Sequence, residues 1–206
     1  MNGILFKPDV WKAKLRVLEE CGEAQTRRII KIDQFGWIYK GILYGIAQFD
    51  HKATNERIII RPRYQAGEVV YIKEVWWTTE PTEGFVYFKA DWDSGLPCEM
   101  LNENGKWKSP LFMPAWAARY FIQITDVRAE RLQEITDSDA IQEGVIFMGG
   151  IADNFDEAPW CASIADQEPV KYPKTAYARL WDSINKKNLW ESNPWVWVYK
   201  FELAIK

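Results

Sequence analysis

The sequence has few of the residues that common metal and disulfide sites require. It contains one histidine, His51, and three cysteines that lie far apart at positions 21, 98 and 161. A single histidine argues against a histidine-based metal centre or a Ser-His nucleophile. Separated cysteines with no C-x-x-C pair indicate neither a zinc site nor a disulfide framework. The sequence therefore predicts no metal site and no cofactor.

Long apolar runs and the sequence signatures of common enzymes are also missing. No segment approaches transmembrane length and no signal peptide opens the chain, so we expect a cytoplasmic protein that has no membrane partner. The glycines at 41 and 45 enclose no Lys or Ser/Thr of a Walker motif. The H-E-x-x-H, G-x-S-x-G and EF-hand patterns do not occur either.

Positive charge is scarce overall but not in the first third of the chain. The net charge is −3, which argues against a general nucleic-acid coat protein. Residues 1–65 nevertheless hold 12 Lys/Arg against 7 Asp/Glu, whereas residues 66–206 hold 14 against 22. The basic third is consistent with a local phosphate footprint or with an ordinary solvated face.

Aromatic residues are abundant, because the chain contains 12 tryptophans among 206 residues. The tryptophans are spread from position 11 to position 197 and form no local cluster. Most such rings fill a core, but some can stack on bases, since every base has a π-face.

The hydrophobic pattern predicts an α+β fold. It indicates helices that begin near 8, 137 and 173 and strands at 4–6, 26–32, 68–78, 85–90, 120–131 and 195–205, with two or three more within 33–60. The helices are scattered among the strands without regular βαβ alternation. This order favours a mixed sheet or a small barrel over a Rossmann-type sheet.

The junction between the first helix and the strand after it is a candidate site. Gly22 ends the helix and Thr26 begins the strand, so the side chains between them are exposed on a backbone that is fixed on both sides. Arg27 and Arg28 can each reach a phosphate with a bidentate fork. The alternative is a pair of ordinary exposed arginines at the end of a strand.

Other charged residues stand at unusual places. Lys73 and Glu74 interrupt an otherwise apolar strand, where they either point outward or line a cleft. Glu143 closes a predicted helix at its C-terminal end, where the helix dipole disfavours an anion. A carboxylate in that position hints at a role, although a neutral surface position is the simpler interpretation.

Several motifs together resemble one family of phage and prophage proteins. The segments that carry the resemblance are Gln25-Thr26-Arg27-Arg28, the strand from Gly67 to Trp76, Ser109-Pro110 with Met113-Pro114, Trp116 to Arg119, Ile124 to Arg128, Glu130 to Gln133, Ala140 to Gly144, Leu180 to Asn185 and Asn193 to Val198. The resemblance covers nearly the whole chain except about 33–60 and 147–172. Members of this family are often labelled ASCH-domain or phage morphogenesis proteins.

The resemblance implies a single PUA-like domain over residues 1–206. It would be a mixed, mainly antiparallel β-barrel with flanking helices and with insertions at about 33–60, 91–108 and 147–172. The resemblance also implies a cleft that recognises RNA or a nucleotide, and a location in the bacterial host cytoplasm for a phage-encoded chain.

The resemblance also suggests catalytic positions. Small amidohydrolases of the ASCH kind use a Lys and a Thr three residues apart, together with a Glu in a later short helix. These positions fall on Glu23, Thr26 and Glu143, so a glutamate replaces the lysine and Lys73 is the candidate substitute cation. Candidate ligand-binding residues are Arg27, Arg28, Glu74, Trp76 and Arg119.

Three functions therefore remain open. The first is binding of RNA, a nucleotide or a modified nucleoside. The second is hydrolysis, either of an acyl group on N-acetylcytidine or of RNA. The third is a regulatory or morphogenesis role that depends on a protein partner, for which the acidic segment 149–172 is the candidate contact. The sequence predicts no oligomeric state.

Overall fold

The computed structural model describes residues 1–32, 36–79, 84–92, 107–147, 160–162 and 170–204. The described part is α+β, with mostly antiparallel sheets and four helices. Its helices are α1 (Pro8–Cys21), α2 (Lys89–Trp92), α3 (Asp137–Gln142) and α4 (Pro173–Ile184). Its strands are β1 (Gly3–Leu5), β2 (Ala24–Ile29), β3 (Trp37–Leu43), β4 (Ile46–His51), β5 (Arg57–Ile60), β6 (Val69–Lys73), β7 (Trp76–Thr78), β8 (Val86–Phe88), β9 (Phe121–Arg131), β10 (Val145–Phe147), β11 (Trp160–Ala162) and β12 (Trp195–Leu203).

A five-stranded sheet with the order β1-β6-β9-β12-β2 forms the centre of the structure. The pair β1 and β6 is parallel and the other pairs are antiparallel. The long strands β9 and β12 lie in the middle, and five successive residues of β12, Trp195 to Tyr199, are buried. Because successive side chains point to opposite faces, both faces of β12 are covered.

Three smaller sheets surround the central one. The strands β3, β4 and β5 form consecutive antiparallel hairpins, and β7 pairs with β8 and β10 with β11. Phe49 of β4 packs edge-on against Trp195, with ring centroids 5.2 Å apart, and so joins the β3–β5 sheet to the main core. No closed barrel is found among the described residues.

The two edge strands of the central sheet, β1 and β2, approach each other. The Arg28 guanidinium on β2 donates from Nη2 to the Leu5 carbonyl at the end of β1, over 2.8 Å. The ring of Phe6, just after β1, lies 6.3 Å from the ring of Phe201 on β12. Backbone pairing between β1 and β2 is not seen in the described residues, so the gap is bridged by side chains.

The helix ends follow local rules. Pro8 occupies the first turn of α1, and Gly22 ends the helix in the left-handed conformation at φ 77°, where its N–H donates to the Leu18 carbonyl. Thr136 and Asp139 form the predicted capping box at the start of α3. These two predicted helix boundaries are confirmed.

The structure differs from the predicted strand at 68–78, which it divides into β6 and β7. The break falls at Glu74, whose backbone N–H donates to Met113 Sδ over 3.2 Å instead of to a neighbouring strand. Its carboxylate binds Arg119 in a bidentate pair. A hydrophobic pattern does not reveal that a chain leaves one sheet for another, so the break was not predicted.

The predicted strand at 85–90 is also shorter in the structure. It ends at Phe88, and the helix α2 begins at Lys89, whose N–H donates to the Val75 carbonyl over 3.0 Å. The residues of the 91–108 insertion lie largely outside the described part, and so does most of the acidic segment 149–172. No described helix is long and apolar enough to cross a membrane.

Candidate functional site

The strand β2 presents two different faces to its surroundings. It pairs with β12 so that Thr26 lies opposite Tyr199 and Arg28 opposite Trp197. Because side chains alternate along a strand, Thr26 and Arg28 share one face, while Gln25 and Arg27 share the face toward α3. Arg27 therefore turns toward α3, although it borders the same cavity as Thr26 and Arg28.

A buried lysine, Lys14, joins α1 to β2 and α3. Its ammonium donates to Glu143 Oε2 over 2.8 Å, to the Glu143 carbonyl over 2.9 Å and to the Gln25 carbonyl over 2.5 Å. The residue is only 1% exposed. Burial lowers the pKa of Lys14, because removal from water disfavours the charged form, and Glu143 partly opposes this effect.

Glu143 is the carboxylate at which two buried cations meet. It caps the C-terminal end of α3 and is 4% exposed, with Oε1 accepting from Arg27 Nη1 over 3.0 Å. Although burial lowers it, the nearby carboxylates of Glu143 and Glu130 raise the pKa of Arg27 above its ordinary value. The helix dipole disfavours an anion at this helix end, and Lys14 and Arg27 compensate for that cost.

These residues border a cavity of about 440 Å³, which we call the Thr26 cleft. It lies in the gap between β1 and β2. Its wall includes Phe6, Lys14, Thr26, Arg28, Glu143 and Tyr177. No hydrogen bond of the Thr26 hydroxyl is found in the described part of the chain.

The Thr26 cleft combines aromatic walls with positive charge. Tyr177 and Trp181 of α4 and Phe6 contribute rings, and burial raises the pKa of the Tyr177 hydroxyl well above its usual value, so it remains a neutral donor. Four cations line the cleft, Lys7, Lys14, Arg27 and Arg28, against a single carboxylate, that of Glu143.

Two cations of this cleft, Lys7 and Arg28, form no ion pair with a carboxylate among the described residues, and of these Lys7 is exposed whereas Arg28 is half-buried. The Arg28 guanidinium lies 5.0 Å from the Phe6 ring centroid, and its one hydrogen bond in that part of the chain is to the Leu5 carbonyl. Burial lowers the pKa of Arg28 from its ordinary value. Glu143 opposes this effect at longer range but forms no ion pair with Arg28, so the desolvated guanidinium favours an anionic ligand.

A second cavity of about 420 Å³, which we call the Arg119 cavity, adjoins the first. Its wall includes Trp11, Lys12, Ala90, Arg119 and Tyr120. Arg119 binds Glu74 through Nε and Nη2, over 2.9 and 2.8 Å, and Asp91 through Nη1 over 2.7 Å. Despite burial, these carboxylates raise the pKa of Arg119 above its ordinary value. Phe6, Pro8 and Pro110 line both cavities.

The structure brings some predicted site residues together and separates others. Thr26, Arg27, Arg28 and Glu143 line the Thr26 cleft. Glu23 does not line it, since its carboxylate accepts from Thr125 Oγ1 over 3.2 Å and lies 3.5 Å from Lys200 Nζ.

The remaining predicted residues lie outside the Thr26 cleft. Lys73, Glu74 and Arg119 line the Arg119 cavity, and Lys73 Nζ donates to the Leu111 carbonyl over 2.9 Å. The structure therefore does not bring Lys73 to Thr26. Trp76 lines neither cavity, because it is buried edge-on against Trp116, with centroids 5.9 Å apart.

Sequence reasoning missed Lys14. It occupies the buried stripe of α1 together with Val10, Trp11, Val17 and Leu18. A lysine at helical spacing within an apolar face was the available signal, because lysine is almost never fully buried unless it is paired. The position adds a cation beside Thr26 and Glu143 that neither Glu23 nor Lys73 supplies.

The described residues contain no group of three or more His, Cys, Asp or Glu side chains placed to hold a metal ion. Compared with family models, with curated proteins and with solved structures, the chain has no significant match.

Proposed function

We propose that the chain binds a nucleotide or the phosphate of an RNA strand in the Thr26 cleft. The observation that carries this proposal is Arg28, a half-buried guanidinium with no carboxylate partner in the described residues. A phosphate is the anion whose oxygens match the guanidinium fork. Binding would give Arg28 the direct anionic partner that the described residues do not supply.

The rest of the cleft suits the remainder of a nucleotide. Its volume of about 440 Å³ falls within the range of small-ligand pockets. The largely buried rings of Phe6, Tyr177 and Trp181 form an apolar wall against which a base can pack. The Thr26 hydroxyl and the neutral Tyr177 hydroxyl can bond the polar edge of a base or sugar.

The resemblance to ASCH-domain proteins supports the same proposal. It implies a PUA-like barrel, in which the edge strands β1 and β2 would meet to close the sheet. The approach of Arg28 to Leu5 is the contact that supports this closure. Because binders and enzymes share such barrels, the site and not the fold carries the functional argument.

A calorimetric titration with nucleoside monophosphates, the parent nucleosides and inorganic phosphate tests the proposal. We expect the monophosphates to bind more tightly than the nucleosides, and Arg28→Gln to weaken monophosphate binding by about 10- to 100-fold, because charge-assisted hydrogen bonds contribute about 1.5–3 kcal/mol. The affinity should also fall as salt concentration rises.

Arg57→Gln is the matched control for this test. Arg57 lies on β5, outside both cavities, and forms an exposed pair with Asp50. The control should leave binding unchanged. Equal weakening by both substitutions, or equal binding of nucleoside and monophosphate, would contradict a phosphate site at Arg28.

A second candidate function is hydrolysis of an acylated nucleoside. The observation that favours it is the buried lysine beside Thr26 and Glu143, because Lys14 supplies the cation that Glu23 and Lys73 do not. The lowered pKa of Lys14 increases the fraction of neutral amine. Neutral Lys14 would take the Thr26 hydroxyl proton as Oγ1 attacks the acyl carbonyl.

The remaining steps conserve atoms and charge. The C–N bond breaks and the nucleoside amine leaves with the proton from Lys14. Water then attacks the acyl-threonine ester, its oxygen stays with the acyl group as a carboxylate, one of its protons restores the Thr26 hydroxyl and the other is released to solvent. All three hydrogens of the Lys14 ammonium are already engaged, which favours binding over this chemistry as the first proposal.

Turnover of N-acetylcytidine, followed by chromatography with mass detection, tests the second candidate. We expect Thr26→Val to abolish product formation, because it removes the nucleophile with little change in shape, and Thr26→Ser to retain part of it. Circular dichroism checks that both variants fold. Product from Thr26→Val at the parental rate, or none from the parent protein, would rule out the hydrolase.

A further inference from the structure

We propose that the ligand is a strand of at least two nucleotides, with one nucleotide in the Thr26 cleft and its neighbour in the Arg119 cavity. This inference rests on the proposed function and names the ligand class more narrowly. The observation that carries it is the shared wall of Phe6, Pro8 and Pro110 between two cavities of similar volume, about 440 and 420 Å³.

Each cavity has aromatic surface of its own. Tyr177 and Trp181 line the Thr26 cleft, whereas Trp11 and Tyr120, with ring centroids 5.4 Å apart, line the Arg119 cavity. Each volume alone lies within the range for a small ligand. A single nucleotide would therefore leave one of the two aromatic surfaces unused, whereas consecutive bases can use both.

The shared wall places the two aromatic sites side by side. The Phe6 ring lies 5.7 Å from the Trp11 ring, at an interplanar angle of 23°, and 5.0 Å from the Arg28 guanidinium. One side chain thus contacts both the cationic end of the first site and the aromatic wall of the second. A ligand that follows this wall passes from a phosphate-binding group to a base-binding surface.

The polar groups of the two cavities differ in a way that fits this division. Arg28 forms no ion pair among the described residues, whereas Arg119 is held by Glu74 and Asp91 and its guanidinium is therefore not available to a phosphate. The Arg119 cavity offers carboxylate acceptors instead. Base amino groups are donors and have the matching chemistry.

The rim of the Arg119 cavity adds a cation that can interact with the linking phosphate. Lys12 lies on the exposed side of α1 and lines the cavity. Because Lys12 is exposed, its ammonium is accessible to a ligand and its side chain does not contribute to the core. A substitution of Lys12 can therefore test strand binding separately from folding.

Titration of the four nucleoside monophosphates and of the 5′-phosphorylated dinucleotides made from the same bases tests the inference. We expect the best dinucleotide to bind the parent protein about tenfold more tightly than its mononucleotides, since stacking contributes about 1–3 kcal/mol per base. Ala90→Phe fills the Arg119 cavity and should remove this gain while mononucleotide affinity stays within about twofold.

Two controls and a second variant keep the test decisive. Ala53→Phe, at an exposed turn outside both cavities, should change neither affinity. If Ala90→Phe does not fold, Lys12→Glu replaces it and should reduce the dinucleotide gain about threefold or more, with exposed Lys52→Glu as its control.

The outcomes separate this inference from the proposed function. Mononucleotide binding without a dinucleotide gain overturns the two-site ligand and leaves the phosphate site intact. Equal weakening of mononucleotides and dinucleotides by Ala90→Phe also overturns it, because one nucleotide would then span both cavities. If neither the mononucleotides nor the dinucleotides bind, both proposals are overturned.

Discussion

At the scale of single residues, Glu143 is the most informative side chain. Its position at the end of α3 is predictable from the sequence, and its unfavourable place in the helix dipole marked it as unusual. Its partners were not predictable, because Lys14 is 129 residues away and Arg27 is 116 residues away along the chain. Local patterns reveal a misplaced charge but not the distant charges that compensate it.

The pairing of Glu143 with two buried cations predicts a large effect of its removal. We expect Glu143→Gln to lower the free energy of unfolding by about 3 kcal/mol, because Lys14 and Arg27 would both lose a charged partner in a desolvated site. Urea-induced unfolding, followed by tryptophan fluorescence, measures the change.

Glu130→Gln is the comparison for that substitution. Glu130 is more exposed than Glu143, and Arg27 would keep Glu143 and Asp139 as partners after its removal. We therefore expect a smaller loss than for Glu143→Gln. A loss for Glu130→Gln equal to or larger than that for Glu143→Gln would contradict the central position given to Glu143.

At the scale of elements, α3 is a short helix that depends on its ends. The Thr136 hydroxyl accepts from the Asp139 N–H over 3.1 Å, and Asp139 in turn accepts from the Thr136 N–H over 3.2 Å. Asp139 also accepts from the Gln25 side chain, so the cap connects α3 to β2. A six-residue helix has little stability of its own, so these contacts fix the position from which Glu143 reaches the cleft.

Substitution of the cap tests that dependence. We expect Thr136→Ala to lower the free energy of unfolding by about 1 kcal/mol, since it removes the side-chain acceptor of the first helical turn. Ser138→Ala, at an exposed position of the same helix, should have little effect. Thermal unfolding of the two variants side by side gives the difference, and equal values would refute the role of the cap.

The elements themselves were largely predictable. The helices α1, α3 and α4 and the long strands β9 and β12 follow from caps and from strong hydrophobic periodicity. The break at Glu74 and the start of α2 at Lys89 were not, since they depend on bonds to Met113 and to Val75. Such bonds are made by tertiary structure and leave no local pattern in the sequence.

At the scale of the whole molecule, the sequence indicated an α+β architecture but not the arrangement of the two cavities. Thr26 and Arg28 were candidates because of their position after a helix, Glu74 because it interrupts an apolar strand, and Arg119 through the resemblance. Only the topology assigns these pairs to neighbouring cavities on opposite sides of Phe6. The relative position of the two cavities depends on how the edge strands β1 and β2 of the central sheet approach each other.

That meeting of β1 and β2 has a consequence for how the protein opens. The first strand is three residues long, and within the described part of the chain it pairs with β6 alone. Its other edge is held by side chains, because Tyr64 Oη donates to the Gly3 carbonyl, Arg28 donates to the Leu5 carbonyl and Phe6 packs beside them. Short strands held on one side are where local unfolding begins most easily. A ligand in the Thr26 cleft would contact both edge strands, β1 and β2, at this gap. It would therefore slow the local unfolding of the N-terminal segment.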